Sequence, residues 1–208
     1  CFIKEKVRNK DFWDIGANIG YFTLITCDIA HHVRAFEPDP INYDILTTNV
    51  DMNQINNIDT HQFAIAETDG ETEFYRKESD GSPINSLAND KRLDGQKVRV
   101  EMRTIDTLVN LHGAPGFVKI DVEGAEHRVV EGALSTMNNY STNWFIEIHS
   151  SRTGERRDRL EQHGSTAEQL YDSLVGAGLT VKGYDPNNKK LEDFNINDKA
   201  LPLYWYAY

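Results

Sequence analysis

An open α/β sheet, mostly parallel and covered by helices on both faces, is the fold this sequence predicts. Two observations carry it. Apolar strand-like runs alternate with helix-like stretches along most of the chain, the pattern of a sheet whose crossovers pack on it. The first strand-like run also ends in a glycine-containing turn, WDIGANIG, that leads into a helix-like stretch, as in doubly wound sheets that bind a ligand there.

Element by element, DFWDI (11–15) reads as a short buried strand and NIGYFTLITCDIA (18–30) as a helix that Asn18 is able to cap. VRAFE (33–37) is a second strand, closed by PDP. Residues 40–53 form a helix with Ile41, Ile45, Leu46 and Val50 on one stripe. A third strand covers 58–65. GETEFYRKE (70–78) and QKVRVEMRTI (96–105) alternate like exposed strands around a polar loop at 79–95, long enough to be functional or mobile. FVKID (117–121) is a strand, 124–136 a helix, NWFIEIH (143–149) a strand and 165–177 a helix. LTVKGYD (179–185) and LPLYWYAY (201–208) lack a helix between them, only a polar, Asn-rich linker at 186–200. They are expected to pair as an antiparallel hairpin at the sheet edge.

The 208 residues suit one domain, 1–208, with one core. No run is long enough to span a membrane, and no signal peptide is visible. The chain opens at Cys1 without a methionine, which leaves room for upstream residues, such as a leader, an anchor or helices over the site. A net charge of -11 argues against a duplex-binding face and for a solvated acidic surface. Two cysteines, Cys1 and Cys27, form no disulfide framework or metal motif, so a reducing, cytoplasmic setting is expected.

The turn carries the first chemical signal. Gly16 would let the backbone turn tightly and approach a ligand, and Gly20 would let the helix start pack against the strand. The middle glycine of a dinucleotide fingerprint is absent, and Asp14 would repel a pyrophosphate. An acid there would receive an ammonium instead, and S-adenosylmethionine has an ammonium and no phosphate. Glu37 ends the second strand roughly 20 residues on, where an acid accepts ribose hydroxyls. Pro38 and Pro40 stop the strand and aim that carboxylate at the cleft.

These residues resemble a known family. FWDIGANIGYFTL, VRAFEPDPINYDILTTNV, FAIAETDGETEF, RTIDTL, FVKIDVEGAEHRVVEGA and WFIEIH occur in the order of FkbM-type class I S-adenosylmethionine-dependent methyltransferases, KIDVEGAE being the most specific. The resemblance covers about residues 11 to 150; beyond that it is one of layout. It implies a Rossmann-like seven-stranded methyltransferase sheet with an antiparallel last strand. It also implies methyl transfer, usually to a hydroxyl or carboxyl oxygen of a sugar or natural product. Carried over, Asp14, Gly16 and Gly20, with Asn18 in the same turn, would bind the methionine end. Glu37 would hold the ribose, and Phe63 and Ala64 would border the adenine.

For the chemistry, bases are expected at the carboxyl ends of the fourth and fifth strands. Alternation puts Lys119 and Asp121 on one face, and likewise Glu147 and His149. Two mechanisms fit. Either His149 or Asp121 is a general base, or Asp121, Glu147 and His149 help to hold a divalent cation, Mg²⁺ or Mn²⁺ rather than zinc. The structural alternative pairs Lys119 with Glu147 and leaves His149 as a strand-end cap. Glu123, with Ser82, Asn85 and Ser86 of the polar loop, is a candidate for contact with the acceptor. Three other readings remain: a cofactor-binding domain without catalysis, a nicotinamide-dependent oxidoreductase and a nucleic-acid methyltransferase. The second lacks a Tyr-x-x-x-Lys pair, and the third an amine-methylation tetrad after strand four.

Overall fold

The computed structural model describes residues 2–77, 95–154 and 158–208, with side chains of 74–77, 95 and 96 left aside. Ser82, Asn85 and Ser86 therefore lie outside the described residues. In chain order the elements are α1 (Phe2–Lys6), β1 (Asp11–Ile15), α2 (Tyr21–Thr26), β2 (His32–Phe36), α3 (Pro40–Met52) and β3 (Ile58–His61). There follow β4 (Ala64–Ile65), β5 (Gly70–Lys77), β6 (Gly95–Arg103), α4 (Ile105–His112), β7 (Phe117–Ile120), α5 (Glu126–Glu131) and α6 (Leu134–Asn139). The chain continues through β8 (Asn143–Glu147), a 3₁₀ turn (Ser151–Thr153), α7 (Arg159–Gln162), α8 (Ala167–Gly176), β9 (Val181–Asp185), β10 (Lys190–Glu192) and β11 (Tyr204–Ala207).

Eight strands form the main sheet in the order β10-β9-β11-β8-β7-β1-β2-β3. β3, β2, β1, β7 and β8 run parallel, whereas β11 is antiparallel to both β8 and β9. The chain builds outward from β1 to β3, then returns to the other side of β1 as β7. The carboxyl ends of β1 and β7 thus flank the switch point where such sheets bind ligands.

Alternation along the strands sorts the core into two layers. Trp13, Ile15, Val118, Ile120, Trp144, Ile146 and Trp205 face α4, α5 and α8 through Leu108, Val129, Val130, Leu170 and Leu174. Phe12, Val33, Phe117, Phe145 and Tyr206 face the other way, toward Ile3 and Val7. On that same side Leu46 and Val50 of α3 cover Ala35. Both faces are therefore helix-covered, as the alternation requires.

Several elements depart from the expected boundaries for local reasons. The helix expected at 18–30 shrinks to α2 because Asn18 (φ 53°) and Gly20 (φ 95°) are left-handed. Asn18 does not cap it: its Oδ1 accepts from the adjacent Ile19 amide at 2.7 Å, and Gly20 takes the cap position without a side-chain bond. The third strand stops at His61. Ala64 and Ile65 pair instead with β6, in a small sheet ordered β4-β6-β5 whose apolar side is Ala64, Ala66, Val100 and Met102. The 96–105 strand ends at Arg103, and Thr104 caps the unexpected helix α4 by accepting from the Thr107 amide.

The 124–136 helix breaks into α5 and α6 around Gly132, where a Cβ would meet the Ala66 carbonyl oxygen at 2.1 Å. The expected hairpin forms between β9 and β11, but β11 also pairs with β8, and the linker adds β10 outside β9. The sheet has eight strands rather than seven for that reason.

Candidate active site

The turn after β1 lies directly against the start of the next crossover. Gly16 has φ 73°, and the Gly16 and Ala17 amides both donate to the Phe36 carbonyl at 3.0 Å. A Cβ on Gly16 would sit 1.8 Å from the Asp121 carbonyl oxygen. Gly16 is thus required by the approach of the segment after β7, in addition to any ligand. The neighbour of Gly20 is α3 rather than a strand: a Cβ there would meet Leu46 Cδ1 at 2.6 Å.

Glu37 follows β2 and is 5% exposed. Its two oxygens accept from the Asn18 amide (2.8 Å) and the Asp39 amide (3.0 Å). Burial pushes its carboxyl up, the two amides pull it down, and the result is about 7. The EPDP run does two jobs. Glu37 faces the cleft, while Asp39 caps α3 by accepting from Ile41 and Asn42, with Pro40 in the first turn. The cleft has a polar wall of Asn18, Glu37 and Asn42 and an apolar one that includes Phe36, Phe63 and Ala64. Asp121, Val122 and Glu123 close the third side.

Beneath this floor is a buried ionic knot. Lys119 Nζ lies 3.1 Å from Asp121 Oδ2, 3.5 Å from Asp14 Oδ1 and 5.2 Å from the Phe22 ring centre, and donates to the Gly16 carbonyl at 3.1 Å. Asp14 is fully buried and also accepts from Thr23 Oγ1 at 2.7 Å. Burial opposes the Lys119 charge, but Asp121 and then Asp14 outweigh it and raise its pKa. Asp121 keeps the shorter contact, and burial raises the Asp14 carboxyl. Asp14 therefore lies under the cleft, and its oxygens face Lys119 and Thr23. The alternative pairing of Lys119 with Glu147 is replaced by these two aspartates.

At the other lip, His149 is 4% exposed. Its Nδ1 is 2.8 Å from Glu126 Oε1, which also accepts from the Gly124 amide at 2.9 Å. Its Nε2 lies 3.7 Å from Asp121 Oδ1 and 3.5 Å from Glu123 Oε2. Burial alone would lower the imidazole pKa, but the Glu126 bond and the surrounding carboxylates raise it to about 9. These carboxylates favour the charged ring, and the Glu126 bond occupies Nδ1, so Nε2 is the nitrogen left facing Asp121 and Glu123. Glu123 (φ 57°) and Gly124 (φ 109°) are both left-handed, and a Cβ on Gly124 would meet Arg159 Cβ at 2.6 Å. Arg159 in turn pairs with Glu123.

Asp121, Glu123 and His149 each offer one ligand atom, all within 4.8 Å of one another. Glu123 takes the place expected of Glu147 in that trio. Glu147 is half-buried, its carboxyl raised by burial and by Asp121, and it lies opposite Tyr204 in the β8–β11 register. Glu126 and Arg159 were not assigned roles by sequence reasoning. The one-turn spacing of Glu123 and Glu126 at a helix start was a usable signal for the first; nothing local marks Arg159.

A parallel sheet with this switch point and a cleft bounded by a glycine turn and a strand-end acid define a Rossmann-like methyltransferase fold. Residues 14–171 match the family described as "Methyltransferase FkbM domain", and the chain belongs to that family. It is 30% identical over 151 residues to the hexuronic acid methyltransferase AglP of Haloferax volcanii, covering 71% of this chain and 59% of that protein. The chain thus spans less than two thirds of that relative. Among solved structures, an FkbM methyltransferase from Methylobacillus flagellatus aligns with a TM-score of 0.57 and 18% identity over 96% of this chain and 44% of its own. Aeropyrum pernix fibrillarin, solved with S-adenosyl-L-methionine bound, aligns at 0.54 and 13% identity over 97% and 67%. Both likenesses concern the fold. Among the described residues no helix is long and apolar enough to cross a membrane.

Proposed function

We propose that this domain transfers a methyl group from S-adenosylmethionine to a hydroxyl or carboxyl oxygen of a sugar acid, free or within a glycan. The observation that carries the reading is the cleft itself: Glu37 beside the Gly16–Gly20 turn on one side, and Asp121 and Glu123 on the other. The name of the Haloferax relative supports a hexuronic acid as the acceptor. The net charge of -11 disfavours nucleic acid. The free, partly buried thiol of Cys27 suits a cytoplasmic setting.

When bound, S-adenosylmethionine supplies a sulfonium-activated methyl group. Glu37 would accept the ribose hydroxyls, and Phe63 and Ala64 would flank the adenine. The turn Gly16–Gly20, including Asn18, would receive the methionine end. Asp14 acts from below, through Lys119 and Thr23, by holding that turn in place. Asp121 faces the cleft and would take the proton of a hydroxyl acceptor; a carboxylate acceptor has none to lose. His149, charged and anchored by Glu126, would orient Asp121 and Glu123 and offset their charge. Glu147 would complete the acceptor side. Transfer of labelled methyl from S-adenosylmethionine to glucuronic acid tests this, and Asp121→Asn should lower turnover while leaving cofactor affinity nearly intact. Undiminished turnover in Asp121→Asn would remove Asp121 from the chemistry.

A second reading rests on the trio within 4.8 Å: Asp121, Glu123 and His149 would hold Mg²⁺ or Mn²⁺. Arg159, paired with Glu123, competes for that space. Transfer rates with EDTA and with added Mg²⁺ separate the readings, since only a bound cation makes the rate metal-dependent.

A further inference from the structure

We propose that a groove beside β9 and β11 is an acceptor subsite for neutral sugar rings adjoining the methylated one, so that the acceptor is an oligosaccharide. The inference rests on the sugar-methylation reading above.

The groove lies between the end of β9 and the start of β11. Tyr184, Phe194, Pro202 and Tyr204 line it, with Glu192 and Asp193 at its rim. Tyr204 pairs in register with Glu147 on one side and with Tyr184 on the other. β7, β8, β11 and β9 are successive neighbours. At ~4.8 Å per step, Tyr204 stands about 10 Å across the sheet from the strand that leads to Asp121, and Tyr184 about 15 Å. Groove and cleft therefore open at the same end of the sheet, separated by the reach of a short glycan. The electrostatics agree: after burial, the charges of Glu147 and Asp121 are the next influences on the Tyr204 phenol.

The lining suits pyranose rings. Half-buried Phe194, Pro202 and Tyr204 offer apolar surface to their C–H groups, backed by the buried Tyr184 ring that stacks on Phe2 at 4.4 Å, while carboxylates accept from their hydroxyls. The walls are also held in place. A Cβ on Gly183 would meet Pro202 Cγ at 2.4 Å, so glycine admits the proline, and the Phe194 ring packs 5.2 Å from that of Trp205. A preformed groove spares a ligand the cost of ordering it. Charge narrows the ligand. At the cleft Lys119, His149 and Arg159 are each paired with carboxylates, Asp121, Glu126 and Glu123 among them. Around the groove Lys182 is matched to Asp193 at 3.1 Å, leaving Asp185 and Glu192 of the lining in excess. This excess of carboxylates at the groove disfavours a second sugar acid there and suits neutral sugars.

The test titrates the full chain, saturated with S-adenosylhomocysteine, with glucuronic acid and with a trisaccharide bearing glucuronic acid on two glucose units. The trisaccharide should bind about tenfold tighter or more. The double variant Glu192→Ala/Asp193→Ala, both exposed, should erase most of that advantage without changing affinity for glucuronic acid or S-adenosylhomocysteine. No advantage for the trisaccharide, absent binding included, overturns the proposal, as does an advantage that survives the double variant. Methyl transfer to both sugars, measured in parallel, keeps the two readings apart. Transfer without length preference removes only the groove. Length-dependent binding without transfer removes only the methylation.

Discussion

Glu37 is held between two backbone amides in a buried position, which leaves its carboxyl titrating near neutrality. Because that value is raised from 4.5 to about 7, its stabilising contribution is fully present below about 4.5 and is lost as pH rises through about 7. A ligand that donates hydroxyls favours the ionised form. Affinity for S-adenosylhomocysteine should therefore rise between about pH 6 and about pH 8, with proton release on binding at the lower end. Calorimetry in buffers of different ionisation enthalpy reads both. Glu37→Gln should abolish the pH slope and weaken binding by about 1–3 kcal/mol; an unchanged slope would move the titration elsewhere. Glu37 was legible because an acid closes an apolar run just before Pro-Asp-Pro. The partners of Asp14 were not, because Lys119 reaches it only through the pairing of β1 with β7.

Among the elements, caps decide most of the boundaries. Asp39 with Pro40 starts α3, Thr104 starts α4, and Thr166 with Gln169 forms a capping box for α8. The alternation in VRVEMR was readable, but carrying it past Arg103 hid α4, since Thr104 suits a strand as well as a cap. The break between α5 and α6 was hidden for a different reason. Gly132 has an ordinary helical-side φ of -76°, and what it avoids is the Ala66 carbonyl, a contact invisible along the chain. Gly132→Ala should therefore destabilise by about 1–3 kcal/mol or more, read as a fall in the denaturant midpoint. A neutral effect would mean that the joint yields freely.

For the molecule as a whole, the strand order places both ends of the chemistry at one switch point, and Lys119 ties them together. It joins the turn after β1, through the Gly16 carbonyl, to Asp121 beyond β7. Lys119→Met should cost about 3–5 kcal/mol by leaving Asp14 buried without its cation, and adding Asp14→Asn should recover part of that loss. Urea unfolding of the two variants checks it, and equal stability of single and double variants would contradict the coupling. The alternation of strands and helices made the parallel sheet and its switch point readable in advance. The eighth strand was not, because β10 is three residues of polar linker that pair only once β9 offers an open edge.

Everything above turns on whether the cleft beside Gly16 and Glu37 receives S-adenosylmethionine. Calorimetric titration of the chain and of Glu37→Gln with S-adenosylhomocysteine and with NAD⁺ tests it most directly. S-adenosylhomocysteine should bind, NAD⁺ should show no heat, and Glu37→Gln should weaken the first selectively. Binding of NAD⁺ in its place, or S-adenosylhomocysteine binding that ignores Glu37, would contradict it.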